Sequence, residues 1–140
     1  MPNILSFSNQ KGGVGKTTSA VNVALSLAVT EKKTLLIDLD PQANATTGLS
    51  DLFEVSNGSI YEVILEGGNI KSSITKTSFS HLDIITSTND LVGAEIELVS
   101  VMAREYQLQK ALKNIKKDYD IIIIDCPPSL GLLTINALTA

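Results

Sequence analysis

The sequence predicts an α/β fold of three layers, in which helices cover both faces of a mostly parallel sheet. Short apolar segments alternate with segments of helical length along the 140 residues. The short segments are apolar at nearly every position, which is typical of parallel strands buried on both faces. A chain of this length, with 44% hydrophobic residues and a mean hydropathy of +0.20, can bury a core within one domain.

Four segments have the composition of strands: residues 3–8, 34–38, 82–86 and 119–125. The segment 17–30 is rich in Ala, Val and Leu and is long enough for a helix of four turns. It would connect the first two strands by the crossover that a parallel sheet requires.

Two further helices are predicted between the second and fourth strands. Ser59 and Glu62 form a capping-box pattern, which opens a short helix that ends at Gly67. Residues 95–117 are predicted to form one long helix, because apolar residues recur on one face and charges of opposite sign lie at its two ends. The apolar stripe comprises Leu98, Val99, Met102, Tyr106, Leu108, Leu112 and Ile115.

The composition excludes several classes of protein. The net charge is −4, and Arg104 is the single arginine, so a basic nucleic-acid-binding domain is not indicated. Cys126 is the single cysteine and His81 the single histidine, which excludes a disulfide framework or a multi-cysteine metal site made by one chain. We expect Cys126 to be a small buried residue, His81 to lie in a solvated loop, and the protein to be cytoplasmic.

The segment 130–140 has the composition of a helix that is beginning. A sheet of about four strands followed by such a helix resembles an incomplete α/β domain. We therefore expect residues 1–140 to be the N-terminal part of a single domain in a longer protein.

A glycine-rich loop lies between the first strand and the first helix. Residues 10–18 read Gln-Lys-Gly-Gly-Val-Gly-Lys-Thr-Thr. In this context, glycine N–H groups and the helix N-terminus can surround phosphate oxygens. Lys16 would then meet the β- and γ-phosphates, and the Thr17 hydroxyl suits a Mg²⁺ ligand.

The loop departs from the ordinary phosphate-loop pattern, because Gln10 stands where that pattern has glycine and a second lysine, Lys11, follows. Lys11 could reach a nucleotide across a dimer interface. Alternatively, it could supply within one chain the charge that an arginine finger provides.

Carboxylates follow two of the predicted strands. Asp38 and Asp40 come at the end of the second strand, and alternation puts them on the same side, where both could face Mg²⁺ or an attacking water. Asp125 ends the aliphatic run 121–124, which is the Walker B arrangement for binding Mg²⁺ directly or through water. The carboxyl ends of parallel strands share the edge that holds the phosphate loop.

Three segments together resemble the deviant Walker ATPases, and among these the ParA/Soj-type chromosome and plasmid partition proteins. They are the loop 11–18, the sequence Asp-Leu-Asp-Pro-Gln-Ala-Asn at 38–44, and the segment 120–129 with its Asp-Cys-Pro-Pro-Ser. The resemblance extends over essentially the whole chain. It implies a P-loop NTPase fold and a Mg²⁺-dependent ATPase that acts as a dimeric switch in DNA segregation.

The resemblance also implies a role for each motif residue. Lys11 would contact nucleotide held by the other subunit, Asp40 would position or activate the attacking water, and Asp125 would be the Walker B carboxylate. Asp38 would be an outer-shell Mg²⁺ group and Thr17 a direct ligand. The residues implied to bind ATP are Lys11, Gly12, Gly13, Val14, Gly15, Lys16, Thr17 and Thr18.

The partners that the resemblance implies are a second copy of the chain, a ParB-like protein, and nonspecific DNA bound through a more C-terminal part, on the nucleoid. No membrane partner is expected. Two alternatives stay open: a MinD-like ATPase that cycles on membranes, which a C-terminal amphipathic helix would reveal, and a non-enzymatic nucleotide-binding scaffold. A nitrogenase-iron-protein-like reductase is disfavoured, because it needs two cysteines in each subunit.

Overall fold

A computed structural model describes residues 2–9 and 15–140. In these residues the structure contains five strands and seven α-helices, joined by short 3-10 turns. The strands are β1 (Asn3–Phe7), β2 (Thr34–Asp38), β3 (Thr75–Lys76), β4 (Leu82–Ile85) and β5 (Ile121–Asp125). The helices are α1 (Lys16–Val29), α2 (Asn44–Gly48), α3 (Ile60–Leu65), α4 (Ile70–Ser73), α5 (Ala94–Glu97), α6 (Gln107–Leu112) and α7 (Leu132–Thr139).

The strands form one sheet in the order β1-β5-β2-β4-β3. All neighbours are parallel except β3, which pairs antiparallel with β4. The predicted α/β fold with a mostly parallel sheet is therefore confirmed. The fourth predicted strand, β5, lies between the first two, so the carboxyl ends of β1, β5 and β2 are neighbours.

Helices cover both faces of the sheet. On one face, α1 presents Ala20, Ala24 and Ala28, whose four-residue spacing makes a flat buried surface against Leu36 and Ile123. On the other face, α3, α6 and α7 pack over strand residues that alternate with these. The alternation in β5 is complete, because Ile122 and Ile124 face the second group.

The prediction of one long helix at 95–117 is wrong. After α5 the backbone passes through a 3-10 turn, becomes extended at Val101 and adopts a left-handed conformation at Ala103 (φ 53°) before α6 begins. Three members of the predicted apolar stripe are consequently exposed, and Met102 is 90% exposed as a residue. The exposed members are Val99, Met102 and Tyr106.

Contacts from α7 explain the break. The Asn136 side chain accepts a hydrogen bond from the Leu108 N–H (3.1 Å) and donates one to the Arg104 carbonyl oxygen (2.8 Å). The Thr139 hydroxyl donates to the carbonyl oxygen of Glu105 (2.7 Å). These side chains satisfy backbone groups that an uninterrupted helix would satisfy internally, so tertiary contacts prevail over the helical periodicity.

The remaining boundaries are close to the predicted ones. Ser59 and Glu62 form both hydrogen bonds of the capping box at the start of α3. The two-residue strand β3 was not predicted, because it is too short to show an alternating pattern. Among the described residues, no helix has the length and apolar character needed to cross a bilayer.

Candidate functional site

The carboxyl edge of the sheet brings the predicted acidic residues together. Asp38 and Asp125 end the adjacent strands β2 and β5 and are register partners, and both side chains are fully buried. Leu39 extends the pairing, because its N–H donates to the Asp125 carbonyl oxygen (2.8 Å). The sheet therefore fixes the relative positions of the two carboxylates.

Lys16, the first residue of α1, reaches into this edge. Its Nζ lies 2.5 Å from Asp125 Oδ1 and 3.7 Å from Asp40 Oδ2, and it also donates to the carbonyl oxygen of Cys126. The preceding residue, Gly15, has a φ of 79°, a conformation in which a side chain would be strained. The glycine thus lets the chain turn from the loop into α1 with Lys16 directed at the carboxylates.

Thr17 contacts the same carboxylate from the next position of the helix. Its hydroxyl donates to Asp125 Oδ2 (2.8 Å), so Lys16 and Thr17 occupy one oxygen each of Asp125. The Thr17 hydroxyl oxygen and an Asp125 carboxylate oxygen, both of the type that binds Mg²⁺, therefore lie next to each other at the start of α1. No group of three His, Cys, Asp or Glu side chains able to hold a metal ion occurs within 2–9 and 15–140.

Asp38 is held by the segment that follows it. Its carboxylate accepts hydrogen bonds from the Thr46 N–H (2.8 Å), the Thr46 hydroxyl (2.7 Å) and the Asp40 N–H (3.2 Å). Burial raises the pKa of Asp38 to about 6 and outweighs these hydrogen bonds, and the nearby Asp125 charge raises it further. Asp38 therefore closes the loop between β2 and α2.

Asp40 lies nearer to the solvent side of this loop. Its Oδ1 accepts a hydrogen bond from the Gln42 N–H (3.0 Å), and its Oδ2 faces Lys16. The Ser87 hydroxyl, which follows β4, donates to the main-chain carbonyl oxygen of Asp40 (2.6 Å). The start of α1 and the segments that follow β2 and β4 thus contribute to the surroundings of Asp40.

Lys16, Thr17 and Asp40 border a cleft of about 750 Å³. The start of α1 forms one wall and the segment after β2 forms the other. The lining residues are Gly15, Lys16, Thr17, Thr18, Val21, Asn22, Asp40, Gln42, Asn44, Gly48 and Pro128. A larger cleft of about 1020 Å³ lies at the opposite, amino edge of the strands and contains none of the predicted site residues.

The structure brings Lys16, Thr17, Asp40 and Asp125 together as the sequence predicts. Of the three aspartates, Asp40 lines the cleft, Asp125 is bonded by Lys16 and Thr17, and Asp38 is bonded by Thr46 and the Asp40 amide. Four predicted nucleotide-binding residues lie outside the described part of the chain: Lys11, Gly12, Gly13 and Val14.

Sequence reasoning missed Thr46 and Ser87. Ser87 follows β4 at the same edge of the sheet, so the rule that ligands meet the carboxyl ends of parallel strands could have indicated it. Thr46 offered no such signal, because it lies eight residues beyond its partner Asp38 in a short helix.

The two residues assigned no chemistry behave as expected. Cys126 is fully buried, and burial raises the pKa of its thiol to about 12, although Lys16 acts in the opposite direction. A thiol held neutral in this way is a poor nucleophile. His81 is exposed in a turn before β4.

Comparison with known proteins identifies the family to which the chain belongs. A family described as an AAA domain matches residues 2–140. The chain belongs to this family. Its relatives include the chromosome partitioning protein ParA of Myxococcus xanthus, 52% identical over 137 residues, and the sporulation initiation inhibitor protein Soj of Bacillus subtilis, 50% identical over 140 residues. The resemblance to ParA/Soj-type proteins is thus confirmed.

These matches cover 98% and 100% of the chain but 48% and 55% of the two relatives. The chain therefore spans about half the length of the curated relatives it matches. Among solved structures, a plasmid partition protein from Borrelia burgdorferi matches with a TM-score of 0.91 and 33% identity, covering 99% of this chain and 62% of that one.

A second solved structure has bound ligands. It is cobyrinic acid a,c-diamide synthase from Mycobacterium smegmatis with bound ADP and magnesium, and it matches with a TM-score of 0.90 and 40% identity. The match covers 100% of this chain and 57% of that protein. Proteins with this fold and bound nucleotide and magnesium are therefore known at substantial sequence identity.

Proposed function

We propose that this chain carries the ATP-binding and ATP-hydrolysing site of a ParA/Soj-type partition ATPase. The observation that carries the proposal is that Lys16, Thr17 and Asp40 line one cleft on the carboxyl edge of the sheet, and that Asp125 bonds to both Lys16 and Thr17 there. Its support from known proteins is the partition role in the names of the relatives from Myxococcus xanthus and Borrelia burgdorferi.

The triphosphate of ATP binds at the N-terminus of α1. This helix has 14 residues, so the partial positive charge at its N-terminus favours an anion there. Lys16 supplies a full positive charge, and Thr17 and Thr18 supply further polar groups on the wall of the cleft. Gly12, Gly13, Val14 and Gly15 complete the loop, and Lys11 contacts the nucleotide of a second subunit.

The residues present fit a Mg²⁺ ion. The Thr17 hydroxyl and an Asp125 oxygen lie 2.8 Å apart, and Mg²⁺ is commonly bound by one or two protein oxygens together with substrate phosphates and water. Thr17 would hold the ion directly, Asp125 would hold it directly or through water, and Asp38 would act in the outer shell. When bound, the ion neutralises charge that develops on the phosphate oxygens.

Asp40 positions the attacking water. Its side chain borders the cleft and is 3% exposed as a residue, so a water bound to it is largely shielded from solvent. Its carboxylate can accept a hydrogen bond from that water while Lys16 contacts the phosphates. Loss of such a group typically costs about 3–5 kcal/mol in the transition state, or roughly 10²–10⁴ in rate.

ATP binding and hydrolysis then drive association and dissociation of a dimer. A ParB-like partner stimulates the hydrolysis, and a more C-terminal part binds DNA nonspecifically. The named relatives are partition proteins, so a MinD-like membrane cycle is not favoured.

Equilibrium binding of Mg²⁺-ATP to the whole protein tests the site. Isothermal titration should show binding to the wild type and to Lys113→Ala, which changes an exposed lysine, and none to Lys16→Ala. Asp40→Ala should bind ATP normally but hydrolyse it about 10²–10⁴ times more slowly. Equal ATP affinity in Lys16→Ala and the wild type would refute the site, as would failure of the wild type to bind. Binding without hydrolysis would favour a non-enzymatic nucleotide-binding scaffold.

A further inference from the structure

Ser87 connects the end of β4 to the loop that carries Asp40. Its hydroxyl donates a hydrogen bond of 2.6 Å to the Asp40 carbonyl oxygen, and its N–H donates one of 3.0 Å to the Thr46 hydroxyl. We propose that Ser87 is a positioning residue for ATP hydrolysis, which fixes the main chain of Asp40 so that its carboxylate faces Lys16 across the cleft. The inference rests on the hydrolytic role proposed above for Asp40.

The hydrogen bonds of Ser87 reach both arms of the loop. Asp40 lies two residues after the end of β2, and Thr46 lies within α2 on the returning arm. Thr46 itself donates to Asp38, so Ser87, Thr46 and Asp38 form a continuous chain of hydrogen bonds. Without the contacts of Ser87, the loop would keep its hydrogen bonds to β2 through Asp38 but lose these two hydrogen bonds to the end of β4.

Burial makes these hydrogen bonds difficult to replace by water. Ser87 is 5% exposed, Asp40 is 3% exposed and Asp38 is fully buried. Removal of the Ser87 hydroxyl would leave the Asp40 carbonyl oxygen with the Ala43 N–H (2.9 Å), a donor from its own loop, but without its donor from the end of β4. The Asp40 main chain could then shift relative to the sheet. Small displacements of a reacting group lower rates without weakening substrate binding.

The function of Ser87 is indirect. It is absent from the lining of the cleft, whereas Asp40 is part of it. Ser87 therefore acts on the rate only through Asp40, and its removal should leave the KM for ATP unchanged. A net hydrogen-bond contribution of ordinary size corresponds to a fall in kcat of about three- to tenfold.

The test compares Ser87→Ala with Thr86→Val in the whole protein. Thr86 is a matched control, because it is also a buried residue whose hydroxyl donates a hydrogen bond (2.9 Å) to a main-chain carbonyl, but that carbonyl belongs to Gly58. Both variants should lower the melting temperature by similar amounts. Only Ser87→Ala should lower kcat, by about three- to tenfold with unchanged KM.

A second comparison places both changes in the Asp40→Ala background. If Ser87 acts through Asp40, Ser87→Ala should not slow the residual hydrolysis of that variant further. Equal kcat in Ser87→Ala and the wild type would overturn the inference, as would an equal fall in Thr86→Val. A fall in kcat that persists undiminished in the Asp40→Ala background would also overturn it.

These outcomes separate this inference from the proposed function. If Asp40→Ala is slow but Ser87→Ala is not, only the role of Ser87 fails. If the wild type hydrolyses no ATP, or Asp40→Ala is as fast as the wild type, both fail. A crystal structure of Ser87→Ala gives a readout independent of activity: an Asp40 carboxylate unmoved from its 3.7 Å separation from Lys16 would contradict the positioning role.

Discussion

Lys16 and Asp125 form a buried ion pair, and removal of the lysine should destabilise the nucleotide-free protein. The Asp125 side chain is fully buried and that of Lys16 is 9% exposed, so solvent screens this pair little. In Lys16→Met, the carboxylate would keep the Thr17 hydroxyl but lose its only counter-charge among the described residues. Removing one partner of a buried ion pair lowers the free energy of unfolding by on the order of 3–5 kcal/mol. Because the Thr17 hydroxyl still bonds Asp125, we expect a loss at the lower end, about 3 kcal/mol.

Urea denaturation monitored by circular dichroism measures this loss. Lys113→Met is the matched control, because it makes the same change at an exposed lysine and should alter the free energy of unfolding by less than about 0.5 kcal/mol. Lys16→Met should shift the midpoint without a change of slope, which would indicate that the unfolded state is unaffected.

A double-mutant cycle assigns the loss to the pair. In Lys16→Met/Asp125→Asn, the buried charge is absent, so the double variant should be more stable than the sum of the single effects predicts, by about 1–3 kcal/mol. The reasoning fails if Lys16→Met is as stable as Lys113→Met. It also fails if the two single effects simply add, because the lysine would then contribute by packing alone.

Three further predictions concern titration, reactivity and nucleotide binding. Burial raises the pKa of Asp38 from 3.8 to about 6, so between these pH values the folded protein retains a proton that the unfolded chain releases. The free energy of unfolding should therefore fall by about 3 kcal/mol as the pH rises from 3.8 to about 6. Asp38→Asn should remove most of this pH dependence, as measured by urea denaturation at several pH values. Cys126, with its buried thiol and raised pKa, should react with a thiol reagent at pH 8 only as fast as the protein opens, so urea should accelerate the reaction measured by mass spectrometry. In EDTA, Asp125→Asn should bind ATP about tenfold more tightly than the wild type, because Lys16 is released from its ion pair and a negative charge is removed. In Mg²⁺, the same variant should bind ATP more weakly than the wild type, because a carboxylate proposed to hold the ion is lost. A fluorescent ATP analogue measures both affinities, and equal weakening under the two conditions would contradict this account.

The fold was predictable where local pattern and tertiary structure agree. The strands β2 and β5 are apolar at almost every position because both faces of the sheet are covered, and this composition is visible in the sequence. The segment 95–117 was not predictable, because its apolar periodicity is compatible with one helix. The side chains that divide it, Asn136 and Thr139, lie about thirty residues away and follow no local rule.

In the candidate site, too, some positions were predictable from local sequence and others were not. Lys16 and Thr17 are placed by a glycine turn and a helix N-terminus, and Asp125 by a buried strand, so local sequence contains the information about their positions. Ser87 reaches Asp40 across 47 residues, and the contact exists because β4 lies next to β2 in the sheet. Strand order decides this contact, and the composition of the separate strands carries no information about their order.

Asp38 and Asp40 show why spacing alone could not assign their roles. In an extended segment the alternation of side chains puts both aspartates on the same side, which gives no reason to assign them different roles. In the structure, however, the Asp38 carboxylate accepts three hydrogen bonds from its own loop and is fully buried. Asp40 instead borders the cleft, with one backbone donor on Oδ1 and the Lys16 ammonium opposite Oδ2. A carboxylate that accepts three hydrogen bonds from its own loop has little capacity left for a direct ligand, whereas one that faces a cleft can accept a proton or a hydrogen bond from a ligand. The difference between the two aspartates arises from Thr46, which supplies two of the three donors to Asp38 and leaves Asp40 as the acidic side chain that faces the cleft.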